Sequence, residues 1–370
     1  MTAFERRTRR LQSELSPGQA VVLCPSPNLY YLTGVWETPS ERAFFAIIGA
    51  EGDPAMVVPE LAAAQVRAET WVEDVRAWGD ADEPMAVVDA AVDDQASPVE
   101  TYLLDPTMWA RFSEGFRHRF PAASYDLAES VMSALRVRKD EAELAALRDA
   151  ATIADAVSIA VRGMGEDAIG RTETELARTI EDRLSDRGGT GVSFETIVGS
   201  AAHGAHPHHT HGDREIEPGD PVVLDFGTRV DHYPSDQTRT VVFGGEPPDG
   251  FVDAHTAVLD AQAAAVDAIE PGVTAETVDA AARDLLEARG YGDAFIHRTG
   301  HGVGLDVHEP PYIVAGSDRR LEPGMVFSVE PGVYIEDRFG VRIEDLVVVT
   351  EDGCERLNDS PRGWRPPDRA

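Results

Sequence analysis

The chain has 370 residues, 42% of them hydrophobic, and its 66 acidic and 33 basic side chains leave a net charge of −33. That length allows two domains and a large core. The acidity, with no Lys/Arg patch, excludes nucleic acid and a membrane surface as partners.

No apolar run approaches the roughly 20 residues of a bilayer span, and the basic N-terminal stretch lacks the apolar core of a secretory signal. A cytoplasmic protein is expected. The charge is spread rather than gathered in a tail: residues 1–135 hold 21 acids and 10 bases, a net of −11, which leaves −22 for the rest. Lys139 is the only lysine. Such a surface repels itself in dilute buffer, whereas molar salt shortens the Debye length to about 3 Å. A high-salt cytoplasm is therefore the expected setting. Cys24 and Cys354 are too few for a disulfide framework and too far apart for a metal motif, which leaves two small buried thiols.

Along the chain, residues 20–24 read as a strand, and residues 42–49 and 55–59 as a hairpin about Glu51-Gly52-Asp53. Helical spacing follows over Leu61–Val72 and, after strand-like residues 101–105, over Met108–Phe120. This predicts a small α/β domain over residues 1–135 and a second domain over 136–370. The second opens with an Ala-rich helical pattern over Asp140–Met164. A Thr172-x-x-Glu175 capping box then starts a helix that ends near Gly188-Gly189. Two more helices are predicted over Phe251–Ile269 and Ala275–Arg289. Strand pairs lie between and after them: PVVLDFG with TRTVVFG, then MVFSVEPG with GVRIEDLVVV. Helix pairs thus alternate with hairpins, twice. The closing SPRGWRPPDRA reads as a partly ordered tail.

The strand pairs carry the chemistry. Asp225 ends one apolar strand and Asp236 begins the next, so a hairpin between them sets the carboxylates side by side. Glu330 and Glu344 flank a turn centred on Asp337 and face one another in the same way. Four carboxylates on apolar strands repel each other and are costly to bury unless dications compensate them. A solvated strand end explains any one of these acids but not the matched set. GHGVGLDVHEP supplies an imidazole, His301, between glycines that let the backbone approach a metal, and His308 follows seven residues on. Oxygen ligands with one imidazole suit Mn, Co, Zn or Fe, with carboxylates bridging two ions. Upstream, AHGAHPHHTHG holds His203, His206, His208, His209 and His211. A separate metal tract is one reading. A single functional histidine, His208 after Pro207, is the more economical one.

With LDFG, SDQTRT, GHGVGLDVHEP, SVEPGVY and GVRIED in this order, the chain resembles pita-bread metallopeptidase family M24 over essentially its whole length. The resemblance is to the branch of Xaa-Pro aminopeptidases (aminopeptidase P) and Xaa-Pro dipeptidases (prolidases). It implies an α+β pita-bread catalytic domain of two pseudo-symmetric helix/hairpin halves, behind a smaller α/β creatinase-like domain. It also implies two divalent ions per chain, Mn first, with Co, Zn or Fe as alternatives, proline-containing peptides as substrates, and a homodimer. By position, Asp225 would hold one ion, His301 and Glu330 the other, and Asp236 and Glu344 both. Glu330 would act as base towards a bridging water. His308 would stabilise the tetrahedral intermediate, and His208 would sit near the scissile nitrogen. His297 and Tyr334 match substrate-side positions, and Arg342 matches an arginine that orients the bridging carboxylates. Methionine aminopeptidase shares the five-ligand pattern and stays open as the alternative. A non-catalytic binding module is disfavoured by the intact ligand set.

Overall fold

A computed structural model describes residues 1–366, divided into two compact units, Met1–Arg136 and a second that begins at Val137. The N-terminal unit contains α1 (Ala3–Glu14), β1 (Gln19–Leu23), α2 (Pro27–Thr33), β2 (Phe45–Gly49), β3 (Ala55–Pro59), α3 (Glu60–Glu69) and β4 (Asp74–Trp78). It continues with α4 (Pro84–Asp93), β5 (Thr101–Leu104), α5 (Ala110–Arg119), β6 (Ser124–Leu127) and α6 (Glu129–Arg136). Its strands form one mixed sheet in the order β4-β3-β2-β1-β5-β6. The predicted hairpin is β2–β3, antiparallel with Phe45 opposite Val57, and Gly52 in its turn has φ +85°. That conformation favours glycine.

α1 goes beyond the sequence reading, which took the N-terminal stretch only as a failed signal. Thr2 caps it by accepting from the Glu5 amide, and Leu11 and Gln12 face inward. The cue, a Thr followed three positions later by Glu, lay in the sequence.

The second unit begins with α7 (Glu141–Arg162) and α8 (Glu173–Asp186), each opened by a capping box, Asp140 with Glu143 and Thr172 with Glu175. They pack on β7 (Ile197–Ser200), β8 (Pro221–Phe226) and β11 (Gln237–Val242), with β9 (Arg229–Val230) and β10 (Tyr233–Pro234) forming a small ribbon inside the β8–β11 turn. The pattern then recurs. α9 (Phe251–Asp267) and α10 (Ala275–Ala288) cover β12 (Gly300–Gly302), β13 (Glu309–Ile313), β14 (Val326–Val329), β17 (Asp345–Val349) and β18 (Cys354–Arg356). β15 (Gly332–Ile335) and β16 (Phe339–Arg342) make the hairpin between β14 and β17. The two halves are thus built alike, each a helix pair against antiparallel strands. Both inner strand faces are apolar, so the polar residues left on them stand out.

The closing segment is more firmly held than its composition suggests. Trp364 packs edge-on against Phe251, and its carbonyl accepts from the Val242 amide at 3.0 Å. Residues 367–370 of the expected tail lie outside the described residues. Cys24 is buried as expected, whereas Cys354 is only half-buried. The sole lysine is fully enclosed: Lys139, 0% exposed, donates to Glu309 Oε1 at 2.8 Å.

Candidate metal centre

The β14–β17 ladder sets Val329 opposite Asp345, and β15–β16 sets Gly332 opposite Arg342. Glu330 and Glu344 fall between those pairs and therefore face each other, with Asp337 in the turn at φ +58°. The other hairpin behaves differently. In the β8–β11 register Asp225 lies opposite Thr238, not Asp236. The β9–β10 ribbon carries the same register up to a tight turn at Asp231 and His232, both at positive φ, one residue beyond the midpoint of Asp225 and Asp236. Asp236 sits two residues before Thr238, hence on the same face and diagonal to Asp225. The side-by-side expectation is corrected to a diagonal one.

His301 arrives from β12. The glycines beside it are demanded by neighbouring strands: a Cβ at Gly300 would overlap the Ser328 carbonyl, and one at Gly302 the Pro310 carbonyl. His301 Nε2 lies 3.2 Å from Glu330 Oε1 and 3.7 Å from Asp236 Oδ2. Asp236, His301 and Glu344, all buried, offer ligand atoms within 4.8 Å of one another, as one cation requires.

Arg342 is the permanent cation of this site. It is 3% exposed and donates from Nη2 to Asp225 Oδ2 at 2.5 Å, from Nε to Thr238 Oγ1 at 3.0 Å and from Nη1 to Tyr334 Oη at 2.9 Å. Thr238 Oγ1 passes the contact on by donating to Glu344 Oε2 at 2.6 Å. The Tyr334 hydroxyl reaches His297 Nε2 at 2.9 Å, while His297 Nδ1 meets the Arg298 carbonyl at 2.7 Å. A carbonyl only accepts, so Nδ1 carries the proton and Nε2 accepts from Tyr334. His297 lines the cavity described below. Tyr334 stands behind Arg342, so its expected place at the substrate is not what its side chain shows.

One guanidinium cannot compensate four carboxylates. Burial, then repulsion from neighbouring carboxylates, pushes Asp236 and Glu344 well above the usual range, and burial also raises Asp225 despite Arg342. Glu330 goes the other way: burial is outweighed by the hydrogen bond and charge of His301, which hold it down at about 2. Asp225 Oδ1 and Glu344 Oε1 are buried without any hydrogen-bond partner. Orphaned buried carboxylate oxygens are expensive, and these fit a divalent cation with oxygen and imidazole ligands.

The cluster forms the floor of a cavity of about 700 Å³, a size suited to a small ligand. Phe194, Ile197, Ile296 and Val307 supply an apolar wall, and His208 and His308 project into the same space. Enclosure, with His301 and Arg298 close by, pushes His308 below the usual imidazole range, although its ring stays open to the cavity. Its centroid lies 4.2 Å from that of His301. The structure thus brings every predicted site residue except Tyr334 to one cavity. Thr238 was not singled out, although it sits inside the SDQTRT motif. The apolar wall had no signal of its own, because its hydrophobics are scattered along the chain and look alike in sequence.

The donor set is that of a divalent-cation centre in a small-ligand cavity. The profile of metallopeptidase family M24 matches residues 145–351, and that of the creatinase/prolidase N-terminal domain matches residues 7–138. A protein of Mycobacterium tuberculosis named "Probable dipeptidase PepE" is 43% identical over 350 residues, 92% of this chain and 90% of its own. The Xaa-Pro dipeptidase of Lactobacillus helveticus is 38% identical over 340 residues, 90% of this chain and 91% of its own. The crystal structure of the prolidase from Thermococcus sibiricus superposes with a TM-score of 0.91 at 36% identity, covering 98% of this chain and 99% of that one. The chain belongs to metallopeptidase family M24. It is a metallopeptidase with the pita-bread fold and the creatinase-type N-terminal domain, as the motifs implied, and a divalent metal is the cofactor of its family. Among the described residues no helix is long and apolar enough to cross a membrane.

Proposed function

We propose that this enzyme hydrolyses Xaa-Pro dipeptides at a dinuclear centre held by Asp225, Asp236, His301, Glu330 and Glu344. The observation that carries the reading is the cage of buried, under-compensated carboxylates at the foot of a cavity with an apolar wall. Relatives named as dipeptidases and prolidases support the substrate. Two divalent ions would supply Lewis acidity and an activated water.

The chain's own residues do the rest. Glu330, on the cavity floor beside His301, takes the proton of the attacking water and returns it to the product side. His308 donates a hydrogen bond to the oxygen of the carbonyl under attack. His208, on the cavity wall, donates to the departing proline nitrogen. An amide nitrogen must gain a proton as its C–N bond breaks, so it needs a donor aimed at it. Phe194, Ile197, Ile296 and Val307 receive the ring.

Mn-loaded enzyme in high salt, the condition suited to a charge of −33, should cleave Ala-Pro and leave Ala-Ala largely intact. Equal cleavage of Ala-Pro-Ala would make it an aminopeptidase P, and preference for Met-Ala-Ala would install methionine aminopeptidase instead. His308→Ala should retain its metals and lose about 10²- to 10³-fold in kcat, the usual cost of one oxyanion donor. Activity within a few fold of the parent would make His308 a structural residue.

A further inference from the structure

The histidine-rich segment splits its side chains between two directions. His208 faces the cavity, whereas His203 and His209 turn to the first residue of α8, Glu173. The Glu173 side chain is 0% exposed, yet it is richly satisfied. Its Oε1 accepts from the Ser200 amide at 2.8 Å, from Ser200 Oγ at 2.6 Å and from His203 Nδ1 at 3.0 Å. Its Oε2 accepts from His209 Nε2 at 2.8 Å and from the Gly212 amide at 3.0 Å. A carboxylate only accepts, so each histidine donates from the nitrogen that faces it. The position suits a negative charge, because the first turn of a helix is the positive end of its dipole. Burial alone would raise the pKa of Glu173, but the hydrogen bonds from Ser200 and the histidines hold it below the usual range.

Ser200 and Gly212 are the two ends of the segment, so one carboxylate closes it into an Ω-like loop. Inside, the His206 amide bonds the His203 carbonyl and the His209 amide bonds the His206 carbonyl, while the Val198 amide reaches the Thr210 carbonyl. His208 therefore sits between residues tied on both sides to Glu173. No other carboxylate among the described residues holds this loop at both ends.

We propose that Glu173 is a positioning residue that acts through His208: it fixes the loop so that the His208 ring meets the departing nitrogen. The proposal rests on the role given to His208 above. Misplacing a reacting group by about 1 Å costs on the order of 10²-fold, and the expected effects follow from that. Glu173→Gln puts an amide N–H₂ against the donors of Ser200 or Gly212, and should lower kcat on Ala-Pro by roughly 10- to 100-fold with little change in KM. His209→Gln, at a side chain 23% exposed, removes one tie from a position that tolerates change and should give a smaller fall. The decisive readout is the double-mutant comparison. In a His208→Ala background neither substitution should lower kcat further, because the group they position is gone.

If both substitutions lower kcat equally in the two backgrounds, Glu173 is merely structural and the proposal falls, while the role of His208 stands. If His208→Ala itself leaves kcat unchanged, the role of His208 falls and takes the proposal with it. If Glu173→Gln does not fold, the His209→Gln pair decides by the same comparison. Metal analysis supplies a separate check. One ion per chain lost in both Glu173→Gln and His209→Gln, but retained in His208→Ala, would give Glu173, His203 and His209 to a cation and overturn the proposal.

Discussion

Asp236→Asn is expected to reduce Ala-Pro hydrolysis to background and to lower the metal content of the purified enzyme. Asp236 is 4% exposed and shares its ligand-bearing neighbourhood with His301 and Glu344. Loss of an outer partner of a metal ligand typically costs about 10- to 100-fold, and loss of a ligand itself, one shared by two ions on the function proposed above, should exceed that range. Asparagine has the same shape, so packing is preserved and the effect isolates the charge. The metal-free protein should be no less stable than the parent. Burial and the charges of Glu344 and Asp225 already favour the uncharged form of Asp236, and asparagine stands in for it. Unfolding in EDTA, turnover and metal analysis on one preparation test all three points. Full turnover with undiminished metal would remove Asp236 from the ligand set.

Arg342→Met should produce the largest change in stability, and its size should depend on metal. Removing one partner of a buried ion pair costs about 3–5 kcal/mol, because the other charge is left uncompensated. Here the stranded partner is Asp225, and Thr238 and Tyr334 lose their donor as well. In EDTA the full penalty should appear in denaturant unfolding. A divalent ion bound only by the folded state adds about 2.7 kcal/mol at a hundred times its Kd, and the penalty should shrink in Mn because the ion gains more where Asp225 is left uncompensated. A penalty of less than about 1 kcal/mol in EDTA, the size of a surface pair, would mean that Arg342 is not the compensating charge. A penalty unaffected by Mn would separate it from the metal cage.

The two carboxylate pairs show how far the sequence could be read. Glu330 and Glu344 were legible because one turn about Asp337 separates them and the strands run true on either side. Asp225 and Asp236 were legible as neighbours but not in register. The chain reverses at Asp231-His232, one residue later than folding back about the midpoint of the two acids assumes, and period-2 counting does not locate a turn that closely. Gly300 and Gly302 were recognised as necessary, but the close strand contact that demands them was not legible. Glu173 was read only as part of a capping box, because a buried acceptor of five donors looks in sequence like any acid in a first helical turn. Its partners lie between 27 and 39 residues away. α2, α4 and α6 escaped for a related reason: short helices depend on tertiary packing more than on their own periodicity. The chemistry was legible because it concentrates unusual residue types on apolar strands. Its supporting contacts are ordinary residues made important by distance in the fold.

Lys139 gives the molecule an unusual chemical fingerprint. Its amine is enclosed against Glu309, and no other lysine exists anywhere in the chain. The folded surface therefore offers acylating reagents and amine cross-linkers no ε-amino group at all. A label can enter there only when the strand that begins at Glu309, next to His308, parts from the segment ahead of α7. The rate at which a mass increment appears at Lys139, separated from the α-amine of Met1 by peptide mapping, is thus a clock for that opening, read without a competing lysine.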